Sequence, residues 1–354
     1  MQSGLAMDVD LSGRIVAVLS GGRSGEREVS LASGAAVVEA LRAGQGAPAQ
    51  VVPVELASDG RWRIEDAAPL AIAAAVERLA RVDVFFVALH GGEGEDGTLQ
   101  GLLRSLGKRF TGSDVGPSAA CMDKVFARHL AASQGIAVAR AVDFDRAQWL
   151  ASRAALRAEL EALGGAGWVV KPRRGGSSVA TALVEEPSAL EGAIEGALER
   201  AIEAVLETGD EVLVEERVRG VETTCPVLGN RDEELVALTP VEIRPHEGRF
   251  FDYEEKYSAG GARELCPPES LDAATVAAIG ALARRAHRFF RLDGYSRTDF
   301  LVPPGAGARP VFLESNTLPG LTPRSLLPLS AARSGIAFDA LCRRIVAAAL
   351  RRSC

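Results

Sequence analysis

The spacing of apolar and polar residues predicts that the chain opens with alternating strands and helices. Residues 14–20 form an apolar, β-branched run that leads into a helix over 29–43. Apolar runs at 50–56 and 82–89 predict two more strands, with a helix at 70–79 between them. This order favours a parallel sheet, in which ligands bind beyond the carboxyl ends of the strands.

Glycine-rich turns follow the first and third of these strands and are therefore candidate binding segments. The turn at 21–28 reads GGRSGERE, which is too irregular for a dinucleotide fingerprint. The turn at 90–97 reads HGGEGEDG and combines four glycines with three carboxylates. Ordering so many glycines is costly in backbone entropy, so we expect a functional turn; a tight surface loop is the alternative.

The middle of the chain mixes amphipathic helices with short apolar strands. Helices are predicted at 98–106, 118–134, 149–163 and 185–207, the last with Ser188 and Glu191 as a capping box, and strands at 168–172, 211–218, 222–228 and 239–245. The segment 173–179, RRGGSSV, lacks the Walker A order, but its small and basic residues suit a flap over phosphates. Lys171 and Glu215 end two strands, where they would either bracket a nucleotide or form a surface ion pair. Residues 250–261 predict a long loop that acts as a lid.

The carboxyl-terminal third contains a predicted β-hairpin. Residues 295–302 and 310–313 are apolar runs, and the Pro- and Gly-rich segment 303–307 separates them. Helices are predicted on either side, at 273–288 and 338–351.

Four polar side chains of this hairpin are predicted to converge. Because side chains alternate along a strand, Arg297 and Asp299 share one face, as do Glu314 and Asn316. Folding the hairpin about its turn places Asp299 opposite Glu314. Two carboxylates and a carboxamide suit Mg²⁺, which completes its octahedron with phosphate oxygens and water. The alternative is an exposed hairpin with solvated charges, but neighbouring carboxylates repel each other unless a cation joins them.

The segment after the hairpin predicts an anion site. Turn residues at 319–320 and 322–323 precede a helix start at 325–327, and the free N–H groups of a helix start bind anions.

Composition limits the classes of partner. The chain has 354 residues, 47% hydrophobic and 25% charged, with a formal net charge of −7. Such a chain has no general attraction to nucleic acid or to anionic membranes, so phosphate binding must come from local basic residues. Neither a signal peptide nor a membrane span is predicted, residues 1–13 are expected to be a polar leader, and the predicted location is the cytoplasm. The five cysteines show no CxxC spacing, so we expect reduced, buried thiols.

Taken together, the motifs resemble those of the D-alanine–D-alanine ligase family, within the ATP-grasp superfamily. They are GGRSGEREVSLASG at 21–34, ALHGGEGEDGTLQGLL at 88–103, MDK at 122–124, VVKPRRGGSSV at 169–179, LVEERVRGVE at 213–222, FDYEEKYSAGG at 251–261, GYSRTDF at 294–300 and ESNTLPGLTPRSLLP at 314–328. The resemblance covers residues 14–350. It implies an α/β (α+β) chain with a Rossmann-like, parallel-sheet domain at 14–117. An ATP-grasp fold would follow, with a central part at 118–215 and a carboxyl-terminal part at 216–354.

The resemblance also implies which residues bind and react. Nucleotide contacts would come from Lys124, Lys171, Glu215, Glu216, Arg217, Val218 and Glu222. Asp299, Glu314 and Asn316 would hold two Mg²⁺ ions, or Mn²⁺ in their place. Glu26 would bind the ammonium of a first D-alanine and hydrogen-bond to Ser177 and Tyr257; which group deprotonates the second amine stays open. Arg297 and the Gly320 N–H would stabilise the oxyanion. Ser325, the Leu326 N–H and Lys256 would bind the second carboxylate, and His90 would position substrate.

The implied reaction is ATP-dependent formation of D-alanyl-D-alanine through an acyl phosphate, for peptidoglycan synthesis, by a homodimer. Gly175 and Ala180 depart from the family pattern in the flap, without removing a metal ligand. One alternative is a ligase with another second substrate (D-serine, D-lactate or another D-amino acid) from a resistance or specialised pathway, although Tyr257 argues against D-lactate. A nucleotide-binding regulator without turnover would have lost a metal ligand or Arg297, and the sequence keeps them all.

Overall fold

The structure is a computed structural model that describes residues 9–164, 166–175, 180–185, 191–245, 262–305 and 307–352. For residues 191–195 it describes the backbone alone. Predictions for Ser177, Ser188, Lys256, Tyr257 and the whole 250–261 lid therefore lie outside the described residues.

The first sheet is built from the amino-terminal strands. Its members are β1 (Ile15–Gly21), β2 (Gln50–Leu56), β3 (Trp62–Ile64) and β4 (Val84–Val87), and its helices are α1 (Arg27–Arg42), α2 (Ile72–Arg78) and α3 (Thr98–Ser105). The strand order is β3-β2-β1-β4, with β1 parallel to both of its neighbours. The predicted parallel core is thus confirmed. Strand β3 was not predicted: a tight turn over 57–61 brings it back antiparallel to β2 at the edge.

A second sheet lies in the middle of the chain. It contains β6 (Ala141–Phe144), β7 (Gly167–Pro172), β8 (Ala182–Glu185) and β9 (Val212–Glu216) in the order β6-β9-β7-β8, flanked by α6 (Arg146–Leu163) and α7 (Glu191–Glu207). Helix α6 begins before the predicted 149 because Asp145 caps it through a reciprocal bond pair with Gln148. The predicted helix start at residue 185 was wrong, because residues 182–185 form strand β8, which pairs with β7.

The third sheet is the largest. Its strands are β5 (Ala137–Val138), β10 (Val221–Leu228), β11 (Val236–Ala237), β12 (Val241–Arg244), β13 (Arg263–Leu265), β14 (Tyr295–Val302) and β15 (Val311–Asn316). The main order is β13-β12-β10-β14-β15-β5, and β11 pairs with β10. Helix α8 (Ala273–Phe289) packs on this sheet through a separate apolar cluster.

The helix predicted over 118–134 is two helices, α4 (Val115–Met122) and α5 (Lys124–Ser133). Asp123 separates them in an extended conformation, and its side chain accepts the N–H of Phe126. The cap gives the Phe126 N–H an acceptor in place of the helical carbonyl that the break removes. It also fixes the direction in which Lys124 and the rest of α5 leave the break.

Helices α9 (Leu326–Arg333) and α10 (Phe338–Arg351) close the described chain. Leu341, Ile345 and Val346 of α10 are buried in the same apolar cluster as Val18 of β1. The end of the chain therefore packs on the first sheet. Cys121, Cys225, Cys266 and Cys342 are free and buried, as predicted. Among the described helices, none is long and apolar enough to cross a membrane.

Candidate functional site

The hairpin β14–β15 has the predicted register. Asp299 faces Glu314 and Arg297 faces Asn316, with an irregularity in the ladder after Asp299. Thr298 and Ser315 also pair, and their hydroxyls lie 3.0 Å apart, buried on the other side of the hairpin. Strand alternation thus places the charged side chains on one face and the hydroxyls on the opposite one.

Arg297 and Asp299 form a two-pronged ion pair. Arg297 Nε and Nη2 donate to the two Asp299 oxygens at 2.9 and 2.8 Å, and the Thr224 hydroxyl of β10 donates to Asp299 Oδ1 at 2.5 Å. Two planar groups joined in this way hold each other in orientation. The Asp299 carboxylate is therefore held in one orientation, and the Arg297 cation is fixed beside it on the same strand.

A cavity of about 520 Å³ lies between the second and third sheets. Its volume is in the range of small-molecule and cofactor sites. The predicted residues that line it are Lys124, Lys171, Glu215, Glu216, Arg217, Val218, Glu222, Arg297, Asp299, Glu314 and Leu326. Val169, Leu183 and Leu313 contribute apolar walls. The cavity thus combines an apolar slot with charged groups of both signs, which is what a nucleotide requires.

Three buried charges meet at one wall of the cavity. Lys171 Nζ lies 2.7 Å from Glu215 Oε2, and Arg128 Nε lies 3.3 Å from Glu215 Oε1. Val169 of β7 lies directly opposite Glu215 of β9. Lys171 is two residues beyond Val169, so its side chain is on the same face of the sheet as Glu215 and diagonally across from it. The predicted nucleotide pair Lys171–Glu215 is therefore a buried contact in the cavity and not a surface ion pair.

Lys124 lies at the start of α5 and contacts the flap. Its ammonium donates to the Gly175 carbonyl at 2.6 Å, and its N–H donates to the Arg173 carbonyl at 3.0 Å. Burial lowers the pKa of Lys124 from its usual value, an effect that the nearby Lys171 reinforces and Glu314 opposes. Arg173 is anchored in turn by bonds to Asp123 and Glu211. The described base of the flap is thus tied to the helix start that carries Lys124.

A second group of predicted residues assembles where the amino-terminal loops meet the end of β15. Glu26 is half-buried at the start of α1, and a Cβ built on Gly91 would lie 2.6 Å from Glu26 Oε2. Ser24 donates its hydroxyl to the His90 carbonyl at 2.5 Å and accepts the Glu26 N–H at 3.2 Å. These contacts pack the two glycine-rich turns against each other and hold the Glu26 carboxylate on Gly91.

His90 connects this group to the segment that carries Gly320. Its Nδ1 lies 3.2 Å from the Leu318 carbonyl and its Nε2 lies 2.8 Å from Ser33 Oγ. A carbonyl only accepts, so Nδ1 carries a proton, and in the neutral imidazole Nε2 then accepts from Ser33. Ser33 Oγ accepts the Leu321 N–H at 3.3 Å in turn. His90 and Ser33 therefore hold the turn on both sides of Gly320.

The remaining predicted residues lie along the same turn. Ser325 accepts the Thr322 N–H at 3.1 Å, and a Cβ on Gly320 would come 2.7 Å from Ser325 Oγ. Asn316 does not line the cavity, and its Oδ1 accepts the Leu318 N–H at 2.9 Å. The predicted residues thus form two neighbouring groups, one lining the cavity and one around Glu26, His90 and Gly320. Leu326 connects the groups, because it lines the cavity and directly follows Ser325.

Three residues that the sequence analysis missed contribute to these groups: Arg128, Ser33 and Thr224. Arg128 stands four residues after Lys124 on α5, so a helical-face comparison could have placed it near the predicted nucleotide residues. Ser33 lies within the GGRSGEREVSLASG motif but touches residues far along the chain. Thr224 acts across strands β10 and β14, whose pairing the sequence does not reveal.

Comparison with family models agrees with this geometry over most of the chain. The model described as D-ala D-ala ligase N-terminus matches residues 15–113, and the one described as D-ala D-ala ligase C-terminus matches residues 130–347. The chain belongs to the D-alanine–D-alanine ligase family. Relatives named D-alanine–D-alanine ligase include a Syntrophobacter fumaroxidans protein, 38% identical over 95% of this chain and 97% of its own length. A similar relative from Anaeromyxobacter sp. strain K is 41% identical over 95% of this chain and 96% of its own.

Solved structures of ligases have the same fold. The VanG D-Ala:D-Ser ligase from Enterococcus faecalis is 31% identical with a TM-score of 0.80, over 95% of this chain and 99% of that one. The Bacillus anthracis D-alanine–D-alanine ligase complexed with ATP is 29% identical with a TM-score of 0.74, over 96% and 97%. The family membership and the ATP-grasp fold that the resemblance implied are confirmed.

Proposed function

We propose that this chain joins two D-alanine molecules at the expense of ATP, giving D-alanyl-D-alanine, ADP and phosphate. The observation that carries the proposal is the cavity between two sheets, where lysines of α5 and β7 face the carboxylates of β14 and β15. The family membership supports the same reaction. Its product is a building block of peptidoglycan, and we place the enzyme in the cytoplasm, where ATP is available.

The residues present fit Mg²⁺. Asp299 and Glu314 face each other in adjacent strands beside the cavity, which provides the one or two carboxylates that Mg²⁺ usually takes from a protein. No group of three His, Cys, Asp or Glu side chains in the described ranges could hold a metal by itself, so phosphate oxygens and water would complete the coordination. We assign Asp299, Glu314 and Asn316 to two Mg²⁺ ions. When bound, these ions would neutralise charge on the transferring phosphoryl group.

In the first step, a D-alanine carboxylate oxygen attacks the γ-phosphorus and ADP leaves, which makes an acyl phosphate. Lys124 and Lys171 are assigned to the phosphates, and the segment from Glu215 to Val218, with Glu222, to the adenine edge and ribose. Catalysis of this kind rests on positioning and charge stabilisation, which the buried location of Lys171 strengthens.

In the second step, the amine of another D-alanine attacks the acyl carbon and phosphate leaves. Glu26 is assigned to the ammonium of the first substrate, with Ser177 and Tyr257 beside it. Arg297 and the Gly320 N–H are assigned to the tetrahedral oxyanion. Ser325, the Leu326 N–H and Lys256 would receive the carboxylate of the second substrate. The bond network of His90 supports a positioning role for that residue.

A second candidate is a ligase that takes D-serine as its second substrate. It is favoured by the likeness to the VanG D-Ala:D-Ser ligase, a TM-score of 0.80. The same active-site chemistry would serve both products, because only the side chain of the second substrate differs.

We further propose the domain boundaries 14–117, 118–215 and 216–354, and a homodimer formed through the amino-terminal domain. The three apolar clusters support a division into three cores. Helix α10 crosses this division, because it belongs to the segment 216–354 but its apolar face packs on the first sheet.

ADP release with single D-amino acids and with pairs of them tests the proposal. We expect turnover with D-alanine alone and D-alanyl-D-alanine as the product by mass spectrometry. Absence of turnover with D-alanine alone, together with turnover on D-alanine plus D-serine, would replace the first candidate by the second.

A further inference from the structure

The charged cluster of Arg128, Lys171 and Glu215 contains one more cation than its carboxylate needs. All three residues are at least nine-tenths buried. The two cations contact different oxygens of Glu215, Lys171 at 2.7 Å and Arg128 at 3.3 Å. Two buried positive charges on one carboxylate repel each other, so an anionic ligand that draws one of them away relieves that repulsion.

The two cations differ in how readily they can leave. Arg128 Nη2 donates to the backbone carbonyl of Ala139, which fixes its planar guanidinium in place. Lys171 carries a compact ammonium on a flexible stem, and its strand lines the cavity directly. The mobile partner of Glu215 is therefore Lys171, and the permanent one is Arg128.

Arg128 also carries an unused donor. Its Nε is buried and has no aligned hydrogen-bond acceptor among the described residues, although Glu215 Oε1 is only 3.3 Å away. A buried N–H without an acceptor is costly. A small rotation of the Glu215 carboxylate would align this bond, and that rotation becomes available when Lys171 no longer holds the other oxygen.

We propose that Arg128 is a positioning residue of the nucleotide site: it serves as the standing counter-ion of Glu215, so that Lys171 can leave Glu215 for the phosphates of ATP. The inference rests on the nucleotide assignment proposed above. Without Arg128, movement of Lys171 would leave a buried carboxylate unpaired, and Lys171 would stay on Glu215. Arg128 itself does not line the cavity.

The direct test compares ATP with adenosine, because only ATP offers phosphates to Lys171. Equilibrium binding to wild type and Arg128→Gln is measured by calorimetry or by displacement of a fluorescent ATP analogue. We expect ATP to bind Arg128→Gln on the order of 10–100-fold more weakly and adenosine to be unaffected. A purely structural role would weaken both ligands equally or neither, and either result overturns the proposal.

Two further variants make the test independent of the single substitution. Arg128→Lys keeps the charge and should retain ATP affinity to within about threefold. The double variant Arg128→Gln with Glu215→Gln removes the carboxylate that would retain Lys171. Loss of the Glu215 contact to adenine should weaken ATP and adenosine alike, so the ratio of ATP to adenosine affinity should recover by about tenfold over Arg128→Gln alone. If Arg128→Gln does not fold, Arg128→Lys and the double variant should both keep the wild-type ratio of ATP to adenosine affinity to within about tenfold. Loss of this preference for ATP in both folded proteins would overturn the proposal.

Arg343 offers a matched control. It is equally buried, pairs with Asp339 at 2.9 Å and donates to the Ala43 carbonyl, but it lies in α10 and does not line the cavity. Arg343→Gln should lower the melting temperature without changing the ratio of ATP to adenosine affinity. Because binding is measured without D-alanine, a wild type that binds ATP but makes no dipeptide would overturn the proposed reaction and leave the test of Arg128 intact.

Discussion

The cavity between the second and third sheets and the corner around Glu26 and His90 are built in different ways. The cavity takes most of its functional side chains from strands of two facing sheets, and its contacts are ionic. The corner is formed by loops, and its contacts are hydroxyl, imidazole and backbone hydrogen bonds around crowded glycines. Charge attraction falls off slowly with distance, whereas a hydrogen bond or a close packing contact fails within an ångström. We therefore expect the cavity to be sensitive to charge and the corner to be sensitive to volume.

The largest effect should come from removing a charge in the cavity. Glu314→Ala should lower kcat by about 10³-fold or more, because it removes a proposed ligand of the Mg²⁺ ions that would neutralise charge on the phosphoryl oxygens. D-Alanine-dependent phosphate release measures the loss, and circular dichroism checks that the fold is retained. Ser315→Ala is the control: its side chain bonds Thr298 on the opposite face, so kcat should stay near wild type. Substantial activity in folded Glu314→Ala would contradict the metal assignment.

A single methyl group should break the corner. Gly91 has a φ of +68°, and an added Cβ would lie 2.6 Å from Glu26 Oε2, so Gly91→Ala must displace that carboxylate. A displacement of about 1 Å can cost on the order of 10²-fold in rate, and we expect a loss of that size in kcat/KM for D-alanine with ATP binding unchanged. Steady-state kinetics with each substrate varied would show the split.

Gly25→Ala serves as the control for this prediction. It lies in the facing glycine-rich turn, directly before Glu26, and an added Cβ would meet nothing within 4 Å. Equal losses in the two variants would mean that this corner is sensitive to any added methyl group and that Glu26 is not the group displaced.

A smaller effect is expected from Ser33→Ala, which removes the bonds to His90 Nε2 and the Leu321 N–H. The turn that carries Gly320 would then be held less firmly, and we expect kcat to fall about tenfold, as one hydrogen bond of about 1.4 kcal/mol would give. Ser296→Ala removes a similar buried bond, to His287 Nδ1 at 2.7 Å, away from both groups. It should lower stability but not kcat; similar kinetics for the two variants would contradict the positioning role of Ser33.

The smallest effect on activity should come from His287, which tests stability alone. Burial lowers the pKa of His287 from 6.5 to about 4, and hydrogen bonds to Gly229 and Leu292 only partly oppose this. Between these pH values the unfolded chain binds a proton that the folded chain does not, so stability falls as the pH is lowered from 6.5 to 4. We expect the free energy of unfolding of wild type to fall by about 3 kcal/mol over this range because of His287. In His287→Gln this contribution should be absent, so its free energy of unfolding should fall by about 3 kcal/mol less than that of wild type. Urea unfolding at several pH values measures the difference, and identical slopes would contradict it.

The outcome of the sequence predictions follows the same division between local and distant contacts. The register of Asp299 with Glu314 was predictable, because both lie in one hairpin whose turn length fixes which residues face each other. The break at Asp123 was missed, since the apolar pattern continues across it and only the cap decides where α4 ends. Strand β3 was missed for a related reason: at three residues it is too short to show a period.

The sequence by itself determined the hairpin, the parallel core of the first sheet and, through its motifs, the family. These depend on periodicity over a few residues or on the order of short segments. Tertiary structure alone decided that Arg128 stands behind Glu215, and that Ser33 and His90 hold the turn around Gly320. Such contacts join residues that lie 57 to 288 positions apart along the chain. Their geometry follows from how sheets and helices pack, which no local pattern of residues encodes.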